Sequence, residues 1–314
     1  MDGPLSDLTL SLQSTLNSPL RAEWQVNSKI TAHSINAVST MKSAQGRIDL
    51  NCVYNTLNTP QIQGQITAQS FDTEGNPLSF LRQLKFNTEF VGDPLSNLSL
   101  KSNLTARYRG NVLQAAINYQ NKQLKSQITL GPNQFQLTGK IPYQLQATVA
   151  LPELQLIHPD LAGIKTSITA KASLSSATKG EALINIRPGS YQLPDDSPLS
   201  SLPFTGGEFH ARLNPHHLRI NGKLTIDPHK QLALDLELPR FQLQKGLANN
   251  QRLLGSLRLD VNSLAFLGNL NKEISKAQGQ LHATLKIKGT VAKPVIEGLI
   301  QLEKASFFST KTRY

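Results

Sequence analysis

The sequence is short of nearly everything that marks an enzyme or a disulfide scaffold. One cysteine, Cys52, stands among 314 residues. That excludes an internal disulfide framework, and no CxxC or Cys/His grouping suggests structural zinc. Aromatic residues make up 6% of the chain, with Trp24 the single tryptophan. Charged residues make up 17%, below the roughly 25% usual for soluble proteins. No apolar run reaches the roughly 18 residues that a bilayer-spanning helix needs. The opening MDGPLSDLTLSLQ has neither a basic start nor an apolar core, so it does not read as a signal peptide.

Catalytic signatures are missing too. The sequence holds no GxSxG, HExxH, DxD or P-loop frame, and Gly206-Gly207 has no GxGxxG around it. His210, His216, His217 and His229 lie close in sequence, yet no carboxylate or cysteine at ligand spacing joins them. Asp195-Asp196 in YQLPDDSPLSS is accounted for by turn chemistry. We therefore expect no catalytic residue, no metal, no cofactor and no small-molecule substrate; the chain is not expected to be an enzyme. The net charge of +11 raises the question of nucleic acid. Against it, the basic residues form no dense run and stacking aromatics are few.

What the chain has in abundance is alternation. In QIQGQITAQ, Ile62, Gly64, Ile66 and Ala68 face one way and Gln61, Gln63, Gln65 and Thr67 the other. Leu218 and Ile220, then Leu232, Leu234, Leu236 and Leu238, repeat the pattern. So do Leu257 and Leu259, then Leu281, Ala283, Leu285 and Ile287. Successive strand side chains point to opposite faces, so each segment has one apolar and one polar side, as in antiparallel sheets. Helical spacing is confined to Leu264, Leu267, Leu270 and Ile274, and to Leu78, Leu81 and Leu84. The expected fold is all-β: an elongated, curled antiparallel sheet with an apolar lumen and a few short helices. We expect one repetitive unit over 1–314, with two β-sandwich domains as the alternative.

A turn-and-strand phrase recurs. NTLNTPQIQGQI at Asn55–Ile66 and GTVAKPVIEGLI at Gly289–Ile300 share Thr, Pro, Ile, Gly and Ile at the same offsets. Its core also occurs as LTGKI at Leu137–Ile141 and INGKL at Ile220–Leu224, which puts Gly64, Gly139, Gly222 and Gly298 at intervals of 75, 83 and 76 residues. Proline cannot donate to a ladder, so Pro60 and Pro294 belong in a turn or at a first strand position. Gly289 suits a tight turn. The glycines inside the strands are expected to permit a bulge or bend.

These residues carry a resemblance. The segment LRLDVNSLAFLGNLNKEISKAQGQL, followed by IKGTVAKPVIEGLIQLEKASF, resembles the TamB family and its AsmA-like relatives, envelope proteins of Gram-negative bacteria. Gly289, Thr290, Pro294, Ile296, Gly298 and Ile300 fit the family's phrase G-T-x-x-x-P-x-[LI]-x-G-x-[LI]. The match is strongest over 257–308, with a second copy at about 44–71. The resemblance implies a taco-like sheet with an apolar lumen, in a periplasmic protein held in the inner membrane by an anchor expected outside this chain. It implies phospholipid transfer to the outer membrane. Alternatively, it implies assembly of outer-membrane β-barrel proteins and autotransporters with a TamA-like barrel partner. A third possibility, from the residues alone, is an adhesin with a closed, dry core.

The candidate site is collective. A lumen would be lined by Ile62, Ile66, Leu137, Ile220, Leu224, Leu232, Leu234, Leu236, Leu257, Leu259, Leu281, Leu285, Ile287, Ile296, Ile300 and Leu302. Pro60, Gly64, Gly139, Gly222, Gly289, Pro294 and Gly298 would shape it. A lipid tail of roughly 16 carbons loses of order 10 kcal/mol on entering water, at about 0.8 kcal/mol per CH₂. A continuous aliphatic surface removes most of that penalty without needing a specific pocket.

Overall fold

The structure, a computed structural model, describes residues 8–16, 22–43, 46–56, 60–71, 81–93, 96–193, 200–265 and 274–309. Asp195-Asp196 and Leu78, Leu267 and Leu270 of the two helical patterns lie outside them. Contacts gather into two units, Met1–Pro142 and Tyr143–Tyr314.

Unit 1 is a meander of ten strands: β1 (Leu8–Leu16), β2 (Ala22–Ile30), β3 (Ser34–Ser43), β4 (Gly46–Asn55), β5 (Gln61–Phe71), β6 (Leu81–Asp93), β7 (Asn97–Tyr108), β8 (Asn111–Gln120), β9 (Gln123–Leu130) and β10 (Asn133–Lys140). Each pairs antiparallel with the next. In unit 2, β11 (Leu145–Leu151) is followed by β12 (Ile164–Lys165), β13 (Ile168–Ser176), β14 (Lys179–Ile186), β15 (Gly189–Gln192), β16 (Ser201–Phe204), β17 (Gly206–Leu213), β18 (His217–Asp227), β19 (Lys230–Pro239), β20 (Leu254–Val261), β21 (Ile274–Gly289) and β22 (Pro294–Ser309). β11, β13, β14 and β17 through β22 form a second antiparallel meander, each strand beside the next. β12, β15 and β16 make a separate small sheet. The expected all-β, curled antiparallel sheet is what the chain forms. It is not closed into a barrel: among the described residues, no ladder covers the outer edge of β1 or of β22.

The curl has local causes. Register shifts fall at Ala68/Phe71, Arg82/Lys85, Leu174/Ser176, Thr225/Asp227 and between Ser275 and Gln280. Such bulges bend the strand and increase its right-handed twist. They correct two expectations. First, the helical pattern at Leu81 and Leu84 is strand. Gln83 lies between them at φ 51°, and the inserted residue brings both leucines to the same buried side. A bulge can therefore imitate a three-residue helical step. In the second pattern, Ile274 opens β21. Helix among the described residues is limited to 3-10 turns at Leu154–Leu156, Pro159–Leu161 and Leu243–Lys245.

Second, the expected bend does not sit at Gly64, Gly222 or Gly298, where register runs unbroken. These glycines are needed for close approach. A Cβ on Gly222 would fall 2.6 Å from Phe209 Cα, and one on Gly298 would fall 2.8 Å from Leu285 Cα. On Gly64 it would enter the Phe90 ring, 2.9 Å from Cε2. Gly139 also pairs in register, at φ 133°. Gly289 turns at φ 93° into Pro294, the first residue of β22, and Pro60 immediately precedes β5.

Candidate functional site

Cross-strand partners share a sheet face, so the ladders assign every inner position of unit 2. One row runs Ala147, Ala172, Ala182, Ala211, Ile220, Leu236, Gly255, Ile287, Ile296. The next runs Val149, Ala170, Ile184, Phe209, Gly222, Leu234, Leu257, Leu285, Gly298. A third runs Leu151, Ile168, Ile186, Gly207, Leu224, Leu232, Leu259, Ala283, Ile300. No polar side chain interrupts these three rows across nine strands. A fourth brings Leu281 and Leu302 beside Val261 and ends at Lys230, whose ammonium is neutralised by Asp227 across the β18–β19 turn.

All thirteen unit 2 residues assigned to a lumen from sequence therefore lie on one face. Ile62, Ile66 and Leu137 lie on one face of unit 1, Ile66 and Leu137 in a single row and Ile62 in another. Ile62 pairs with Tyr54, Ile66 with Leu50, and Leu137 with Ser126. Sequence inspection missed Phe209, Ile184 and the alanine row, because alanine contributes little to an alternation of hydrophobicity.

Burial distinguishes a lined face from a sealed core. None of these sixteen residues is buried; thirteen are half-buried, and Ile296, Ile300 and Leu302 are 60%, 64% and 53% exposed. The clusters of buried side chains are small, around Leu81, Leu84 and Ala106 in unit 1 and around Val261, Leu264 and Ala277 in unit 2.

The opposite face of unit 2 carries the charges. Arg219 forms a forked pair with Asp235 at 3.0 and 2.5 Å, and the guanidinium holds that carboxyl below its ordinary range. Asp260 meets His282 at 2.9 Å, Glu208 meets His210 at 2.7 Å, and Glu297 meets Lys288 at 3.1 Å. At the end of the fourth inner row Lys230 likewise lowers the Asp227 carboxyl. His216 and His229 lie in the turns. Among the described residues no three His, Cys, Asp or Glu side chains gather as metal ligands, and no helix is long and apolar enough to cross a membrane.

An open antiparallel sheet with one largely apolar face and one charged face defines the class of fold: an all-β protein built on a curled sheet that is not closed into a barrel. The family follows from the sequence of the same region. Residues 164–302 match the model of the TamB N-terminal domain, a match that supports membership of the TamB family and suggests a TamB-type envelope protein. The match begins well before Leu257, where the resemblance in sequence was strongest, and does not include the copy of the repeat near 44–71. No curated protein and no solved structure matches the chain.

Proposed function

We propose that this chain supplies an apolar trough along which phospholipid acyl chains pass between inner and outer membranes, as the periplasmic part of a protein held in the inner membrane. The observation that carries this is the run of three apolar rows, unbroken by any polar side chain across nine strands, most of whose residues are half-buried or exposed. Soluble monomers rarely leave large contiguous apolar areas bare, and such areas mark lipids or partners. Weak, similar contacts at every strand suit cargo that must move and not stay.

Leu285→Arg places a charge in the second row, between Leu257 and Gly298. It should abolish co-purification of phospholipid in native mass spectrometry while leaving the β-sheet circular dichroism intact. Wild-type protein that carries no phospholipid, and takes none from vesicles, would sink the proposal.

A second function is favoured by β22. Its outer edge has no partner among the described residues, and Val295, Ile296, Leu299, Ile300 and Leu302 are 49–64% exposed. An edge of this kind invites strand addition, which suits a scaffold for nascent outer-membrane β-strands working with a TamA-like barrel. Photo-crosslinkers separate the two. Lipid adducts at Leu285 support the trough, and protein adducts at Leu299 with none to lipid at Leu285 support the scaffold.

A further inference from the structure

The inner face of unit 1 is not aliphatic throughout. One of its rows runs Val26, Ser39, Leu50, Ile66, Thr88, Ser102, Ile117, Ser126, Leu137. Four of these nine side chains are hydroxyls, lying in the same row that supplies Ile66 and Leu137 to the apolar lining. The hydroxyls are shielded: Ser126 is 8% exposed and Ser39 9%.

Their hydrogen bonding is incomplete in one direction. Ser126 lies between Ile117 and Leu137 and has no side-chain hydrogen bond among the described residues. Ser39 accepts from the Trp24 indole N–H, so its own proton is left to give. Thr88 and Ser102 share a single bond of 2.7 Å. Whichever donates, the other keeps its proton. The row thus offers three spare O–H donors. Strand spacing puts them roughly 14 Å apart from β3 to β6 and roughly 10 Å apart from β7 to β9. A donor left unmatched in apolar surroundings is costly, and a ligand that brings an acceptor relieves it.

The charge pattern says which acceptor. No Lys, Arg, Asp or Glu stands on the inner positions of β1 to β10 that the ladders define. A phosphate or free carboxylate would arrive here without a counter-charge. A neutral carbonyl needs none.

We infer that these hydroxyls form a seam donating hydrogen bonds to the ester carbonyls of an acyl ligand, so that unit 1 prefers ester-linked diacyl lipids over ether-linked ones. This rests on the trough proposed above and adds to it a preference located in one unit. Trp24, the only tryptophan, is itself part of the seam and reports on it by fluorescence.

The test titrates the full chain with diheptanoyl phosphatidylcholine, below its micelle-forming concentration, and with its dialkyl ether counterpart. Trp24 emission and native mass spectrometry serve as readouts. The ester lipid should bind roughly two- to tenfold tighter, the worth of about one net hydrogen bond. The variant Ser39→Ala/Thr88→Val/Ser102→Ala/Ser126→Ala, which removes all the donors, should lose that preference while keeping its affinity for the ether lipid. Equal wild-type affinities for the two lipids overturn the seam and leave the trough standing. So does a preference that survives in the folded quadruple variant, whereas binding of neither lipid overturns both. The wild-type comparison decides the matter even if the variant fails to fold.

Discussion

The two units share a strand grammar but finish their surfaces differently. In unit 2 the inner face holds only Gly, Ala, Val, Ile, Leu and Phe through three full rows, and the outer face is laced with ion pairs such as Arg219–Asp235 and Lys288–Glu297. In unit 1 the inner face is broken by Ser39, Thr88, Ser102 and Ser126. Its outer face is largely amide and hydroxyl, with Asn51 beside Gln65, Asn87 beside Asn103, and Gln65 bonded to Asn87 at 2.7 Å. Through those three rows the inner face of unit 2 carries no polar side chain. Unit 1 mixes neutral polar groups into both faces. Chemistry that tolerates a neutral acceptor is thus available in unit 1 and absent from the three uninterrupted rows of unit 2.

Tight inner packing is where unit 2 should break most easily. At Gly222 the Phe209 side chain and backbone occupy the space a Cβ would need. Gly222→Val must push apart two paired strands and should cost about 3 kcal/mol, the upper part of the usual range for overpacking. Urea unfolding followed by circular dichroism would read the loss. If the transition of unit 1, followed by Trp24 emission, stays put, the two units unfold separately.

A smaller effect comes from writing unit 1 chemistry into unit 2. Leu234→Ser sets a hydroxyl between Gly222 and Leu257. It removes half-buried methyl groups and supplies no acceptor, so about 1–2 kcal/mol of stability should go. The same chemistry in reverse is milder. Thr88→Val/Ser102→Val removes both partners of one hydrogen bond and should be near neutral, whereas Ser102→Ala alone leaves Thr88 unmatched and should cost about 1 kcal/mol. A double variant less stable than the single would show that the face of unit 1 does not tolerate what unit 2 is made of.

Much of this was legible because a strand repeats every two residues. Leu232, Leu234, Leu236 and Leu238 announce both a strand and its apolar side. Register joins such strands, and it cannot be read from one segment, so Leu257 beside Leu234 and Leu285 beside Leu257 required the structure. The hydroxyls were illegible for another reason. Ser39 and Ser126 look in sequence like members of a wet face, and only their ladder partners place them on the apolar one. Leu81 and Leu84 misled through the bulge at Gln83, since one inserted residue turns a two-residue period into three. Gly64, Gly222 and Gly298 were expected to permit a bend, whereas what requires glycine there is a neighbour's bulk, which leaves no trace in the glycine's own surroundings.

The smallest expected effect concerns the ion pairs. Asp235 and Asp227 in unit 2 and Asp49 in unit 1 are each held below the ordinary carboxylate range, chiefly by hydrogen bonds from Arg219, Lys230 and Arg47. A carboxyl whose folded value is depressed adds stability above its unfolded value of about 3.9 and loses that contribution as pH falls through the folded value. Both units should therefore be flat in stability from pH 7 to about 5 and weaken below about 4. Two of the three lowered carboxyls belong to unit 2, so its acid loss should exceed that of unit 1. Asp235→Asn/Asp227→Asn should flatten the profile of unit 2 and leave Trp24-monitored unfolding of unit 1 unchanged. The Arg219–Asp235 and Arg47–Asp49 pairs are substantially exposed and screened by solvent, so added salt should shrink their contributions. An acid transition that appears first in Trp24 emission would mean that the amide-rich face, and not the charged one, is the more pH-sensitive.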